Sequence, residues 1–228
     1  MTGYRVAFML PVANPKHCQE KLPKWIEMGY DVHVLQDRYR FECPKGVHVH
    51  TPWSMYAGWP ASVAYLCRLP MAGVYDCIVT GGDDMLPDPN KHASEIAAEF
   101  YQRFPDGFGV MQPIGDDMDG TDRICGSPWF GRGWIERAYC GRGPLCCHYF
   151  QFYADEELLN VARGLGVLWQ RKDLTQYHDH WTRRREPRPV YQDLSQGHWD
   201  SDKATFLERA ARGFPGSHPK PARVMSPE

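Results

Sequence analysis

The sequence lacks several features that would assign a chain to a specialised class of protein. Its 228 residues contain no uninterrupted apolar run of the length that a membrane-spanning helix requires. The first residues lead into a strand-like segment rather than a signal peptide. The formal net charge is only −2, which does not indicate a polyanionic partner. We therefore expect a globular cytoplasmic protein with no membrane partner, and its 43% hydrophobic content is ordinary for that class.

The eight cysteines lack the regular spacing of a disulfide scaffold or a zinc knuckle. Cys67 and Cys77 lie in apolar segments, and a chain of this size needs no disulfides to hold its core. Most of the thiols are therefore expected to be reduced core residues. A zinc site stays open at one cluster, although its adjacent cysteines do not match the C-x2-C spacing. That cluster consists of Cys140, Cys146, Cys147 and His148.

Short apolar runs alternate with helical patterns over the first half of the chain. Strands are predicted at residues 5–13, 31–37, 47–51, 75–80 and 108–112. Helices are predicted at residues 15–28, 60–69 and 90–104, the last with Asn90 as its N-cap. This order predicts an α/β domain with a mostly parallel sheet, right-handed crossovers and helices on both faces.

Two adjacent carboxylates, Asp83 and Asp84, follow the fourth predicted strand. Ile78 and Val79 favour a buried strand, and the glycines at 81–82 end it. The carboxyl ends of parallel strands form the edge where open α/β sheets usually bind ligands. A carboxylate pair there can hold a metal ion against a phosphorylated ligand. Asp and Gly are also common in solvated turns, so a structural role stays open.

A segment dense in glycine and tryptophan covers residues 125–143 and predicts a loop or bent hairpin. Glycine lets the backbone approach a ligand closely, and aromatic rings offer apolar faces for stacking. We predict that this segment contacts a ligand, while a place in the core is the alternative for its aromatic residues. The predicted contacts are Gly126, Trp129, Phe130, Arg132 and Trp134.

Two further polar groups follow this segment. Asp155, Glu156 and Glu157 open a predicted helix whose apolar residues recur at helical spacing. The pair His178 and His180 follows a predicted edge strand at 167–169. Each group also has a structural interpretation. Asp155 is an ordinary N-cap residue, acidic residues suit the positive end of a helix, and the histidines could end a solvated strand.

The chain becomes polar and proline-rich past residue 182. We place one domain at 1–182 and a basic extension at 183–228, which contains one short helix at 204–212 and a mobile tail from 214. Six basic residues outnumber three acidic ones between residues 171 and 188. This excess is compatible with nucleic-acid phosphates, or with a solvated surface.

In this order the polar groups resemble those of GT-A type glycosyltransferases of the family 2-like branch, over roughly residues 5–181. The triplet 82–84 stands where that family carries its DxD-type metal motif, with Gly82 in place of the first acid. Residues 154–156 resemble its xED motif, and His178 or His180 resembles its late metal-binding histidine. The resemblance implies a GT-A, Rossmann-like fold for the single domain.

The same resemblance implies a nucleotide-sugar donor and a divalent cation at the strand ends. Asp84 with His178 or His180 would hold the metal, and Asp83 would face the ribose or share the ion. A hard cation neutralises the charge that develops on a leaving diphosphate. Mn²⁺ and Mg²⁺ both suit this role, and a histidine ligand favours Mn²⁺. The residues that would line the nucleoside pocket are Pro11, Asn14 and Asp37.

Sugar transfer also requires a base that removes the proton of the acceptor hydroxyl. We predict Asp155 for this role and Glu156 as the second choice. Phage enzymes that glycosylate hydroxymethylated pyrimidines in DNA are similarly short and GT-A-like. That resemblance favours a 5-hydroxymethylated pyrimidine in DNA as the acceptor, with a saccharide or another small acceptor as the alternative.

Two other functions stay open on the sequence. A phosphohydrolase or nucleotidyltransferase would use two metal ions and a water, and the candidate ligands would suit them. Those ligands are Asp83, Asp84, His178, Asp179 and His180. A non-catalytic nucleic-acid-binding module would use the arginine run and exposed aromatic residues.

Overall fold

A computed structural model describes residues 3–36, 40–52, 56–118, 120–185, 187–189 and 191–217. The predicted nucleoside contact Asp37 and residues 218–228 of the predicted tail lie outside this part of the chain. The strands are β1 Val6–Pro11, β2 Asp31–Leu35, β3 Val47–His50, β4 Cys77–Val79, β5 Met85–Leu86, β6 Val110–Pro113, β7 Trp129–Gly131, β8 Leu168–Arg171 and β9 Tyr177–His178. The α-helices are α1 Pro15–Glu27, α2 Trp59–Arg68, α3 Ala93–Arg103, α4 Arg132–Arg137, α5 Ala154–Gly164, α6 Tyr191–Gln196 and α7 Trp199–Ala211.

Seven strands form one sheet in the order β3-β2-β1-β4-β7-β6-β8. Neighbouring strands are parallel except at β7, which runs antiparallel to both β4 and β6. The predicted mostly parallel α/β sheet is therefore confirmed, and β8 lies at the edge as expected. A second sheet pairs β5 with β9, and it places Met85 opposite His178.

Strand β7 corrects the prediction of a loop or hairpin at 125–143. Side chains of a strand alternate between the two faces of a sheet, so Trp129 packs on one face and Phe130 on the other. Because β7 runs against its neighbours, its first residue lies at the edge where β4 and β6 end. The segment 124–127, which precedes β7, therefore lies at that edge.

Helices cover both faces of the sheet and bury two apolar layers. Helices α2 and α5 contribute Leu66 and Leu158 to one layer, and α1 and α3 contribute Leu22 and Phe100 to the other. Among the helices described, none combines the length and the apolar character needed to span a bilayer. The two layers fix the sheet as a rigid base for the residues at its carboxyl edge.

Helix α3 begins later than the sequence predicts. Its N-cap is His92, whose backbone N–H donates to the Glu95 carboxylate at 2.8 Å. The predicted cap Asn90 instead lies in a turn, where its N–H donates to Asp88 Oδ1 at 2.8 Å. An Asx turn at Asp88 therefore precedes the helix, and the N-cap lies two residues later than predicted.

The extension contains two helices, α6 and α7, where the sequence predicts one. Helix α7 is anchored to the domain by Arg209, whose guanidinium donates to both oxygens of Glu157 at 2.7 and 2.8 Å. The Tyr149 hydroxyl donates to the same carboxylate at 2.6 Å. Asp202, also on α7, accepts bonds from three consecutive backbone N–H groups at residues 150–152, each at 2.9 Å.

Replacing Arg209 by methionine is expected to lower the free energy of unfolding by about 3–5 kcal/mol. The side chain of Glu157 is fully buried, so this change leaves a carboxylate without its cation. Urea unfolding measures the loss, and a double variant that also carries Glu157→Gln should recover much of it. Arg212→Met is the matched control, because its exposed ion pair with Glu208 is worth about 0–1 kcal/mol. Equal effects of the two single variants would contradict the anchoring role.

Candidate functional site

A cavity of about 480 Å³ lies at the carboxyl edge of the sheet. Its walls come from the end of β1, the turn after β4, the segment before β7, the start of α5, the segment around β9, and α6. The polar and charged side chains that line it are Asp83, Asp84, Gln112, Asp116, Thr121, Ser127, Gln151, Asp155, Gln176, His178, His180, Arg188, Gln192, Ser195 and Gln196.

Asp83 ties the end of β4 to the start of α1. Its Oδ2 accepts bonds from the backbone N–H groups of Ala13 and Asn14, each at 2.9 Å. Its Oδ1 lies 3.2 Å from Nδ1 of His17 on α1. A carboxylate is favoured at this position by the positive end of the helix dipole. Asp83 therefore has a structural role, and the predicted contact with a ribose or metal stays a prediction.

Asp84 faces the cavity beside His178. Its Oδ2 lies 3.2 Å from Nε2 of His178, and its backbone carbonyl accepts from the N–H of Asp179 at 3.0 Å. Burial works to raise the pKa of Asp84, but the hydrogen bond and the charge of His178 outweigh it and lower the pKa. Asp84 is thus ionised at neutral pH.

Gly82, which stands in place of the first acid of the triplet 82–84, packs against the side chain of Asp84. A Cβ at this position would lie 2.4 Å from Oδ1 of Asp84, closer than non-bonded atoms approach. The glycine therefore leaves space for the Asp84 carboxylate to turn toward the cavity.

His178 and His180 lie beside the turn after β4, because β9 pairs with β5. The N–H of His178 donates to Asp116 Oδ2 at 2.9 Å, and the two imidazole rings lie 5.0 Å apart. Nδ1 of His180 lies 2.7 Å from the Thr182 hydroxyl. Burial, followed by the charge of His178, lowers the pKa of His180. His180 is thus a neutral imidazole at neutral pH, the form that binds metals.

These donors suit a manganese ion in chemical type, since carboxylate oxygen and imidazole nitrogen both occur in its sites. Asp84 Oδ2 and His178 Nε2 converge, with His180 beside them. Within the described residues, however, no three His, Cys, Asp or Glu side chains form a complete group that could hold a metal ion. The remaining ligands would have to come from a bound phosphate, as is common for cations that act on nucleotides.

Asp155 occupies a third wall, at the start of α5. The N-cap is Tyr153, whose φ of 66° is left-handed, so the alternative interpretation of Asp155 as the cap is wrong. The Asp155 carbonyl accepts from the N–H of Cys125 at 3.2 Å and ties α5 to the segment before β7. Burial raises the pKa of Asp155 to about 6. Burial also raises the pKa of Glu156, which does not line the cavity.

A solved structure has a similar arrangement of strands and helices. It is the catalytic domain of Drosophila β1,4-galactosyltransferase 7 in complex with xylobiose, with a TM-score of 0.51 and 14% sequence identity, covering 86% of this chain and 80% of that chain. The present chain has the GT-A fold. A mutant of that Drosophila enzyme in complex with manganese, UDP-Gal and xylobiose has a TM-score of 0.49 and 12% identity, covering 84% and 79% of the two chains. No protein-family model and no curated protein matches the sequence.

The GT-A fold places all three predicted ligand-contacting aromatic residues in its core. Trp129, Phe130 and Trp134 are 0% exposed, and the indole of Trp134 donates to the Pro144 carbonyl at 3.0 Å. Arg132 donates to the carbonyls of Ala72 and Tyr75, which precede β4 at the opposite edge of the sheet. The acceptor prediction is therefore wrong for these four residues.

Gly126 and Pro11 do line the cavity of this GT-A domain. Asn14 does not, because its Oδ1 caps α1 by accepting from the N–H groups of Lys16 and His17 at 3.0 and 3.3 Å. The cysteine cluster does not converge either. Cys146 is buried while Cys140 and Cys147 are exposed, and they belong to no metal-binding group within the described residues.

The GT-A cavity also contains residues that the sequence did not single out. Gln112, at the end of β6, donates to the Ser127 hydroxyl at 3.2 Å and accepts from the Ser127 N–H at 3.2 Å. Its position at a strand end was a usable signal. Helix α6 lines the cavity through Gln192, Ser195 and Gln196, and no local pattern indicates that contact.

Most arginines of the basic segment next to the GT-A cavity face carboxylates. Arg183 contacts Asp116 at 2.6 Å and Asp117 at 2.8 Å. The other ion pairs are Arg171 with Glu99 and Asp173, Arg184 with Asp179, and Arg188 with Asp193. Asp179 also accepts a hydrogen bond from Nζ of Lys21 at 2.6 Å. Its carboxylate is therefore engaged by two cations, which disfavours it as a ligand in a two-metal hydrolase. The local excess of positive charge is thus largely neutralised.

Proposed function

We propose that this chain is a metal-dependent glycosyltransferase that moves a sugar from a nucleotide-sugar donor to an acceptor hydroxyl. One observation carries the proposal. A single cavity at the ligand-binding edge of a GT-A fold contains both a carboxylate–histidine pair, Asp84 and His178, and Asp155, a carboxylate whose pKa burial raises to about 6. The fold alone would not support an activity, since function depends on the site.

Asp84 and His178 form the metal side of the proposed site, with His180 as a further candidate ligand. A divalent cation bound there would neutralise the negative charge that develops on the leaving nucleoside diphosphate. The low pKa of Asp84 keeps the carboxylate charged, and the lowered pKa of His180 keeps its imidazole neutral. Both are the protonation states that metal ligands require.

Asp155 is proposed to remove the proton of the acceptor hydroxyl. A base works best when its pKa lies close to the working pH, and burial brings Asp155 to about 6. Its position on the cavity wall allows contact with an acceptor, while Glu156 lies outside the cavity. Asp155 is therefore the first choice and Glu156 the second.

A saccharide or another small polyhydroxyl molecule is the acceptor that we place first. The similar Drosophila enzyme was solved with xylobiose. The cavity wall offers several uncharged donors and acceptors of hydrogen bonds, among them Gln151, Gln192 and Ser195. A hydroxymethylated pyrimidine in DNA needs cations that are free to contact phosphates. The arginines of 171–188 largely face carboxylates, so we place this acceptor second.

A thermal-shift panel tests the donor. The panel contains UDP, GDP and dTDP and their common sugar conjugates, each with Mn²⁺, with Mg²⁺ and with EDTA. A ligand present at about 100 times its Kd should raise the midpoint of unfolding by about 5–10 °C. We expect this rise for one nucleotide family, and only with a divalent ion. No shift with any nucleotide sugar would contradict the proposed function and favour the nucleic-acid-binding module.

The acceptor is tested by following consumption of the stabilising donor with xylobiose, with other oligosaccharides and with hydroxymethylated DNA. Sugar transfer to a saccharide supports the first choice, and transfer to DNA supports the second. Donor consumption that is equally fast without any acceptor would indicate a phosphohydrolase instead, because a hydrolase needs only water.

A further inference from the structure

Gln176 is a buried residue at the wall of the cavity. The oxygen of its side-chain amide accepts a hydrogen bond, and its amino group, which is also buried, has no partner among the described residues. It directly precedes β9, and its side chain is 4% exposed. Its Oε1 accepts a bond from the indole Nε1 of Trp129 at 2.9 Å. Within the part of the chain that the structure describes, its Nε2 has no hydrogen-bond partner.

The hydrogen bond from Trp129 fixes which atom of the Gln176 amide is the oxygen and which is the nitrogen. An indole N–H can only donate, so the atom that faces Trp129 must be the Gln176 carbonyl oxygen. The amino group therefore points the other way. The indole itself is held firmly, since Trp129 is fully buried in the interior strand β7 and contacts the ring of Tyr30 edge-on, with 5.6 Å between the ring centroids.

An unpaired amino group in a buried position destabilises the fold, and most buried polar groups in folded proteins are paired. Gln112, the other buried amide of this cavity, illustrates the rule. Its Nε2 donates to the Pro113 carbonyl and to the Ser127 hydroxyl. Gln176 differs because its amino group lacks a protein acceptor while the residue lines a cavity. A ligand with an oxygen atom would supply the missing acceptor.

The position of Gln176 indicates which ligand this is. Gln176 lies two residues before His178, and both residues line the cavity. His178 lies beside Asp84, the residue proposed to serve the diphosphate of the donor. We propose that the amino group of Gln176 donates a hydrogen bond to an oxygen of the bound nucleotide-sugar donor, and that Trp129 is the positioning residue that aims it. This inference rests on the proposed function.

Isothermal titration of two Gln176 variants tests the contact. The probes are UDP, UDP-galactose, GDP and GDP-mannose in the presence of MnCl2. Gln176→Glu keeps an oxygen for the Trp129 indole and replaces the amino group by a second oxygen. Gln176→Met removes the donor without adding charge. We expect both variants to bind the nucleotide sugar at least about tenfold more weakly than the wild type.

The two kinds of probe locate the oxygen. Equal losses for the nucleoside diphosphate and the nucleotide sugar place it on the nucleoside diphosphate, and a loss for the nucleotide sugar alone places it on the transferred sugar. Wild-type affinity in Gln176→Met would overturn the inference while leaving the proposed function in place. Absence of binding by the wild type would overturn the proposed function, and the inference with it.

Trp129→Phe tests the positioning role, since it removes the indole donor and keeps an aromatic ring in the core. We expect donor affinity to fall about three- to tenfold although Trp129 does not line the cavity, with little further loss when Gln176→Met is added. Trp134→Phe is the matched control, because this equally buried indole bonds the Pro144 carbonyl and not a cavity residue. Equal donor affinities of the two tryptophan variants would overturn the positioning role.

Discussion

Replacing Asp155 by asparagine is expected to reduce the rate of sugar transfer by about 10²–10⁴-fold, the usual contribution of a general base. The amide has the shape of the carboxylate but cannot accept the proton of the acceptor hydroxyl. Donor affinity should change little, because Asp155 is proposed to act on the acceptor. Steady-state rates at saturating donor and acceptor measure the effect. Titration of the variant with the nucleotide sugar is the control that measures donor affinity separately from the rate.

The pH dependence of the same reaction provides a second measurement. Burial raises the pKa of Asp155 to about 6, and the base works only in its deprotonated form. The kcat/KM of the wild type should therefore fall as the pH drops below about 6, approaching tenfold per pH unit. In Asp155→Asn, the remaining kcat/KM should no longer show this decrease below about pH 6.

Glu156→Gln is the matched control for both measurements. It removes the neighbouring carboxylate, which lies outside the cavity, and we expect close to the wild-type rate and pH profile. A large loss in Glu156→Gln with a normal rate in Asp155→Asn would assign the base to Glu156, the second choice.

Replacing Asp84 by alanine is expected to lower the metal-dependent rate at least about 100-fold, since a cation on the leaving diphosphate is worth several kcal/mol. The variant removes the carboxylate that converges with His178 at 3.2 Å. The dependence of the rate on MnCl2 concentration should shift to higher concentrations. Binding of Mn²⁺ in the presence of the nucleoside diphosphate, followed by electron paramagnetic resonance, gives a readout that does not depend on turnover.

Asp117→Asn serves as the control for Asp84→Ala. Asp117 follows the cavity residue Asp116 in the chain but does not itself line the cavity. Its side chain is 90% exposed and pairs with Arg183. Its removal should leave both the rate and the metal dependence unchanged. A wild-type rate in Asp84→Ala at low Mn²⁺ would show that the metal ion is held elsewhere.

The parallel part of the sheet could be predicted because its strands are continuous apolar runs separated by helical patterns. Strand β4, with Ile78 and Val79, is one example, and the acidic turn that follows it lies at the cavity as expected. Strand β7 could not be predicted in the same way. The glycines and aromatic rings in and around its Trp129-Phe130-Gly131 segment equally suit a ligand-binding loop.

The roles of individual charged residues were harder to predict than their positions. Asp83 and Asp84 are adjacent in sequence, yet Asp83 bonds the start of α1 and Asp84 bonds His178. Two arginines of the basic segment, Arg171 and Arg183, pair with Glu99 and Asp116, which are distant in sequence. Such pairs depend on tertiary contacts that hydrophobic periodicity does not encode.

The position of helices α6 and α7 has a consequence for how the protein is made. A nascent chain leaves the ribosome from its N-terminus, and the sheet can begin to assemble before α6 and α7 have been synthesised. The wall formed by Gln192 and Gln196, and the carboxylate of Asp202 that holds residues 150–152, follow every described strand in the chain. The cavity is therefore completed only after the strands have left the ribosome, so premature termination within α6 would leave the strands without the wall that completes the site.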